Sequence, residues 1–229
     1  MYYSIIIPIY KEKNNIIKLI SLINHYLKNF EFEILIIDDD SNDGTKELFK
    51  KIQFKKNIKF FVRKEKPRDL TQSVFLGIRK SKYENLILMD GDLQHHPKYL
   101  PKICKIFRQE KIDFLICVRN FSKRSGLSIL RFFLSIFIIK VINLIFGYKC
   151  SDPMSGFFIF QKKNFFKNKL YPRGFKILLN LIYSSSKSLK IKEFQIKFNK
   201  RHNNKSKMNL KVLYHIVCSI IYLFLKKIF

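Results

Sequence analysis

Six of the 17 acidic residues fall in two short clusters. One is Asp38, Asp39, Asp40 and Asp43 in IIDDDSNDG; the other is Asp90 and Asp92 in LILMDGDLQHHP. Like charges packed this closely repel, so a folded chain must offset them. A divalent cation shared with phosphate oxygens does so, and hard oxygen ligands spaced Asp-x-Asp suit Mg2+ or Mn2+. Gly91, between Asp90 and Asp92, lets the backbone approach a ligand closely. Aspartate also caps helices and fills turns, and Asp43 with Gly44 and Asp40 with Ser41 read best in that way.

Both clusters follow the ends of apolar runs that read as buried strands. Residues 3–7, 33–37, 58–62, 85–89 and 114–118 are such runs. Between them, residues 14–27 place Ile16, Ile17, Leu19, Ile20, Ile23 and Leu27 on one helical face. Helices are also expected over 44–52, 71–80 and 97–108, the last opened by Pro97, with His95 and His96 as polar residues at its start. Strands apolar on both faces and alternating with helices imply a parallel sheet covered on both sides, with right-handed crossovers. Ligands of such sheets bind beyond the carboxyl ends of the strands. Residues 1 to about 120 therefore read as an α/β, Rossmann-like sheet.

The chain has 229 residues, 47% of them hydrophobic, with 7 Gly and 6 Pro, which excludes collagen-like and low-complexity classes. Its formal charge of +28 points to an anionic partner, although Ile, Lys, Asn and Phe are inflated together, as codon bias would produce. Cys104, Cys117, Cys150 and Cys218 show no CxxC or Cys/His spacing and read as reduced core residues. No secretory leader is evident in MYYSIIIPIY. PIYKE stands where a GxGxxG loop would follow the first strand, and GxxxxGK[ST] is absent; this removes the usual dehydrogenase and P-loop readings.

PIYKEKNNI, ILIIDDDSNDGT, LMDGDLQHHP, SDPMSGF, GFKILL and RHNNKSKM occur in this order. Together they resemble an inverting family-2 glycosyltransferase of the nucleotide-sugar-binding GT-A fold, in its dolichol-phosphate (polyprenyl-phosphate) mannose synthase branch. The resemblance covers residues 1 to about 210. It implies that Pro8, Tyr10, Glu12, Ile37 and Asp39 hold the donor nucleoside. Asp90, Gly91 and Asp92 match the metal-binding DxD segment, and Gln94 a further metal-side ligand. Arg119, Arg131 and Ser135 match positions that engage the acceptor phosphate, while Arg201 and Lys207 match a basic pair closing over the donor diphosphate. Asp92, Arg119 and Arg131 would carry catalysis. The chain departs from the family at RDLTQSVFLG, where a small or Gly-rich stretch is usual, at Asn204 and at Asn120.

The implied reaction moves a hexose, mannose from GDP-mannose first, to a polyprenyl phosphate. UDP-glucose and UDP-N-acetylglucosamine are rival donors, since PIYKE and IIDDD do not distinguish guanine from uracil. The acceptor phosphate is already ionised near neutral pH, so it needs alignment and no protein base. Asp152, before Pro153, reads either as a residue near the sugar or as a turn residue.

Residues 127–146 and 212–225 are unusually apolar but interrupted by Arg131, Lys140 and Asn143, or too short to span, which fits helices lying in a membrane interface or packed in the core. The expected organisation is a GT-A catalytic domain over 1–207, with a nucleotide-sugar-binding half at 1–120 and an acceptor-binding half at 121–207, followed by an amphipathic helix at 208–229. The expected place is the cytoplasmic face of a membrane, peripherally bound, with room for a membrane-protein partner. A basic RNA-binding module would explain the charge and the 24 Phe and 11 Tyr, but leaves Asp90-Gly91-Asp92 unused and lacks RNP, KH and zinc-knuckle signatures, so nucleic acid is not an expected partner.

Overall fold

The computed structural model describes residues 2–119, 129–166, 170–185, 188–199 and 210–228. Strands β1 (Tyr2–Ile9), β2 (Glu31–Asp38), β3 (Ile58–Val62), β4 (Asn85–Leu88), β5 (Phe114–Arg119), β6 (Phe158–Gln161) and β7 (Ile191–Ile196) form one sheet in the order β3-β2-β1-β4-β6-β5-β7. All pairings are parallel except those of β6, which runs antiparallel between β4 and β5. Helices among the described residues are α1 (Lys13–Tyr26), α2 (Thr45–Lys51), α3 (Leu70–Lys80), α4 (Leu100–Gln109), α5 (Ile129–Phe146), α6 (Lys163–Phe166), α7 (Ile177–Tyr183) and α8 (Leu210–Ile228).

The mostly parallel sheet is the one the alternation of elements implied. Its side chains divide by parity, as a pleated strand requires. Ile5, Ile7, Ile34, Ile36, Ile87 and Leu115 pack with the apolar faces of α1 and α4. Ile6, Leu35, Ile37, Leu86, Leu88 and Ile116 pack with α3 and α7 on the opposite side. In α1, Ile16, Leu19, Ile20 and Ile23 are buried, each contributing about 1.5–3 kcal/mol by leaving water.

Two local expectations shift. The first strand was expected over residues 3–7, yet β1 runs on through Pro8 to Ile9. The β4 ladder ends at the Ile6–Leu88 pair and the Met89 N–H to Ile6 carbonyl bond. Pro8, of the same parity as Ile6, turns its missing N–H towards β4 beyond that ladder, so no bond is lost. Pro97 opens a 3-10 turn (Pro97–Tyr99), and α4 begins only at Leu100.

Because β1, β2, β4, β5 and β7 are parallel, their carboxyl ends share one edge of the sheet. The antiparallel β6 enters from that same edge, which brings the preceding segment 150–157 beside the ends of β4 and β5. A third apolar layer lies outside the sheet, where Ile138, Ile139 and Ile142 of α5 meet Leu179 of α7 and Val212, Ile216 and Leu223 of α8. Among the described residues no helix is long and apolar enough to cross a membrane. Cys104, Cys117, Cys150 and Cys218 are free thiols, the first three buried.

Helix α3 lies close on the sheet at Gly77, where a Cβ would come within 2.5 Å of Ile6 Cγ2 and 3.3 Å of Ile37 Cγ1. Gly77→Ala should therefore destabilise the fold by about 1–3 kcal/mol despite the better helix propensity of alanine. Urea unfolding checks this, and an unchanged midpoint would show that α3 rides higher on the sheet.

Candidate functional site

The four aspartates at the end of β2 and in the loop after it all have partners within the protein. Asp38, buried, accepts the Ser41 N–H at 3.1 Å and the Ser41 hydroxyl; burial raises its pKa against those bonds. Ser41 Oγ in turn accepts the Lys11 N–H at 2.8 Å, tying the loop after β1 to the loop after β2. Asp43 accepts the Thr45 hydroxyl at 2.6 Å and the Lys13 N–H at 3.1 Å, the turn role expected for it. Asp40, in a left-handed turn conformation, meets Lys66 Nζ at 2.7 Å.

Asp39 was expected at the donor nucleoside, and its carboxylate is engaged by the protein. Arg63 Nε donates to Oδ1 at 2.7 Å and the Asp69 N–H to Oδ2 at 2.7 Å. Burial nevertheless raises the Asp39 pKa, outweighing the Arg63 guanidinium. Asp69 continues the network: it caps α3 through the Gln72 N–H at 3.1 Å and accepts the Gly174 N–H at 2.8 Å. A cavity of about 180 Å³ lies alongside, lined by Arg63, Lys66, Asp69 and Arg173 among others.

Of the other donor-side candidates, Tyr10 stands at the mouth of these loops with the Arg68 guanidinium 4.9 Å from its ring centre. The buried Glu12 accepts the Asn15 amide at 2.8 Å. Pro8 is buried in β1. Ile37 is a correction: its side chain is wholly buried against Gly77 and fills the core beneath α3, so it offers no surface to a ligand.

Asp90, Gly91 and Asp92 follow β4 directly. Asp92 Oδ1 accepts the Gln94 N–H at 3.1 Å, and the Asp90 side chain is 37% exposed. Two glycines make this geometry. At Gly91 a Cβ would strike Ile9 Cγ2 at 2.6 Å, and at Gly156 a Cβ would lie 2.4 Å from Asp90 Oδ2. The Asp90 carboxylate thus occupies space that any other residue at 156 would fill. These hard oxygen donors suit Mg2+ or Mn2+, and the described residues offer no cluster of three His, Cys, Asp or Glu. Such a pair fits a cation whose remaining ligands come from phosphate and water. Gln94 donates its side-chain amide to the Asn199 carbonyl at 3.3 Å and its carbonyl accepts the Asn199 N–H at 3.0 Å, so it also anchors the chain beyond β7.

Arg119, at the end of β5, is expected at the acceptor phosphate. Its Nε and Nη2 grip Asp152 at 2.7 and 2.9 Å. Asp152 is fully buried, which resolves its two readings: it is neither a simple turn residue nor open to a sugar, but the anchor of Arg119. Burial opposes the Arg119 charge and Asp152 more than restores it, so its pKa is raised. Lys176, just before α7, was overlooked as a site residue although GFKILL was noticed. Its ammonium donates to the Met154 carbonyl at 3.1 Å and lies within the electrostatic reach of Arg119, Asp90, Asp152 and Asp92; burial lowers its pKa. Its signal was a lone cation between Phe175 and the run Ile177 to Leu179, where no surface charge belongs.

The two histidines also part company. His96 does open the turn, its Nδ1 accepting the Lys98 N–H at 3.1 Å. His95 does not; it is buried between Phe157 and Phe198. Ser135 is buried on α5, one helical turn after Arg131. Arg131 lies in α5 with its side chain outside the described set, and Arg201, Lys207, Asn120 and Asn204 lie outside the described residues.

The sequence pattern of Glycosyl transferase family 2 matches residues 4–167. Dolichol-phosphate mannosyltransferases of Pyrococcus furiosus, Mycosarcoma maydis and Saccharomyces cerevisiae are 31%, 28% and 29% identical over 93%, 96% and 92% of this chain. The chain spans 61%, 78% and 82% of their respective lengths. Among solved structures, glucosyl-3-phosphoglycerate synthase of Mycobacterium tuberculosis with UDP superposes at a TM-score of 0.74 with 14% identity, covering 97% of this chain and 79% of that one. The same enzyme with Mn2+, UDP and glucosyl-3-phosphoglycerate gives 0.70 at 15% identity, covering 97% and 78%. The fold is GT-A.

The Arg119–Asp152 pair makes a measurable claim. Asp152→Ala leaves a guanidinium buried without its partner and should cost about 3–5 kcal/mol, as should Arg119→Ala. The double variant should lose much less than the sum in a denaturant-unfolding cycle; simple additivity would mean that the two side chains act independently.

Proposed function

The chain belongs to glycosyl transferase family 2, and from that membership we propose that it transfers a hexose from a nucleotide diphosphate sugar to a polyprenyl or dolichyl phosphate, with mannose from GDP-mannose the first choice. The observation that carries this reading is the convergence of Asp90, Asp92, Arg119 and Lys176 on the carboxyl edge of the sheet. The naming of three relatives as dolichol-phosphate mannosyltransferases supports the acceptor.

Two polyanions must meet in this reaction, and their repulsion is the first barrier. Asp90, Asp92 and Gln94 would hold Mg2+ or Mn2+, which supplies positive charge to the diphosphate leaving group. The remaining work belongs to the chain's own side chains. Tyr10, Glu12 and Asp39, with the Arg63 network behind them, shape the nucleoside end. Arg201 and Lys207 would close over the diphosphate.

Arg119, held in one orientation by Asp152, would present its remaining guanidinium donor surface to the acceptor phosphate together with Arg131 and Ser135. A guanidinium fixed by a bidentate partner loses no further rotamer freedom when the phosphate arrives. The acceptor oxygen attacks as an anion, so no proton is taken from it, and no histidine or glutamate is required as a base.

A lipid acceptor would bring the reaction to a membrane surface, and the proposed place is its cytoplasmic side with peripheral attachment. Phe133, Phe137 and Leu144 of α5 and Val217, Ile221, Phe224 and Ile228 of α8 are exposed, a surface suited to the headgroup boundary. A membrane-protein partner could share it. Within this scheme residues 1–207 form the catalytic domain and 208–229 its membrane-facing helix.

Incubation with Mn2+ or Mg2+, polyprenyl phosphate and radiolabelled GDP-mannose, UDP-glucose or UDP-N-acetylglucosamine should move label into the organic phase, with GDP-mannose best. Asp92→Ala should reduce transfer by about 100- to 1000-fold, the scale of one lost electrostatic stabiliser. Arg131→Ala should raise the KM for lipid more than that for donor. Retention of all label in water with every donor would overturn the proposal. Separately, Phe133→Glu with Phe137→Glu should abolish co-flotation with anionic liposomes, and undiminished flotation would remove α5 from the membrane contact.

A further inference from the structure

His95 is 3% exposed, and its Nδ1 is buried with no hydrogen-bond partner. Leaving a polar atom in that state costs about 1–3 kcal/mol. A leucine or phenylalanine would fill the slot between Phe157 and Phe198, whose ring centres lie 5.5 and 5.2 Å away, without that cost. The imidazole therefore has a task that packing does not supply.

The geometry of its surroundings shows what the task is. Nδ1 lies 3.7 Å from Asp90 Oδ2, about half an ångström beyond hydrogen-bond range. The same oxygen also lies against Gly156, where a Cβ would stand 2.4 Å from it. The carboxylate of Asp90 thus has both an imidazole nitrogen and a side-chain-free backbone beside the same oxygen.

We propose that His95 is the positioning residue of the Asp90 carboxylate. When Asp90 takes up a divalent cation with one oxygen, its other oxygen closes onto the Nδ1–H of His95, and the absence of a side chain at Gly156 leaves room for that movement. The bond fixes the carboxylate's angle towards the cation and strengthens it as a ligand, as partners behind metal-binding groups do. His95 touches neither donor nor acceptor. The inference rests on the metal-holding role given above to Asp90.

The test titrates Mn2+ into the full chain with GDP as the probe nucleotide and follows free Mn2+ by electron paramagnetic resonance, so that no turnover is needed. His95→Leu, which keeps the volume and removes the donor, should weaken Mn2+ binding by about 10- to 100-fold, while GDP binding without metal stays as in the native chain. His95→Asn, which restores an N–H near the Nδ1 position, should recover most of the affinity. Gly156→Ala, which puts a methyl group against the carboxylate, should weaken Mn2+ binding as His95→Leu does, and it carries the test if the leucine chain does not fold.

Native affinity in His95→Leu, or equal losses in His95→Leu and His95→Asn, would overturn the inference while leaving the metal site standing. A native chain that binds no Mn2+ at all would overturn the metal reading and this inference with it.

Discussion

Crowded negative charge at the carboxyl edge of the sheet is the constraint around which the rest is arranged. Asp38, Asp39, Asp92 and Asp152 are buried near the ends of parallel strands or beside them, with the partly exposed Asp90 among them, and burial makes an uncompensated carboxylate costly. The fold resolves the two halves of this edge differently. At the end of β2 the partners come from the same loop and from the segment after β3: Ser41 on Asp38, Thr45 on Asp43, and Arg63 and the Asp69 N–H on Asp39. After β4 the compensation comes from distant parts of the chain: Arg119 from β5, tied to Asp152, and Lys176 from the start of α7. A site whose anions are balanced by cations supplied from separate elements is well suited to receiving further anions, because each phosphate displaces part of an existing balance rather than creating a new charge.

The outer helical layer is coupled to that edge through backbone contacts. At Gly174, with φ of +116°, a Cβ would lie 3.4 Å from His215 of α8. The same residue donates its N–H to Asp69 and accepts from the Thr71 N–H and hydroxyl with its carbonyl. Asp69 bonds Asp39, and Asp39 holds Arg63. A continuous set of packed groups therefore runs from α8 to the loop after β2. The inward side of α8 carries Val212, Ile216 and Leu223 with His215 and Ser219, while Val217, Ile221 and Phe224 face outward, so the helix is apolar on both sides, which an aqueous surface alone would not favour.

Much of this was legible from the chain itself, for reasons that can be named. The strand runs are apolar on both faces, so their identity did not depend on knowing their neighbours; α1 and α3 show a 3.6-residue period long enough to fix their buried sides. Asp90-Gly91-Asp92 stood out because two carboxylates flanking a glycine at a strand end have few structural uses. β6 was not legible. Four residues, FIFQ, carry no period, and nothing local announces that they run antiparallel between β4 and β5. Ile37 was misjudged as a ligand contact because a position beside Asp38 says nothing of which face its side chain takes; the parity of β2 sends it beneath α3.

Sequence alone determined the class of fold, the two acidic clusters and the family whose motifs they join, because propensity, periodicity and residue chemistry are properties of short segments. Tertiary structure decided which of those charges remain available. Asp39 is bound to Arg63 across 24 positions, Arg119 to Asp152 across 33, and His95 lies against Phe157, just before β6, and Phe198, just after β7. Such pairings depend on the insertion of β6 and on the crossovers that bring strand ends to one edge, and a linear sequence specifies them only through the folded core as a whole.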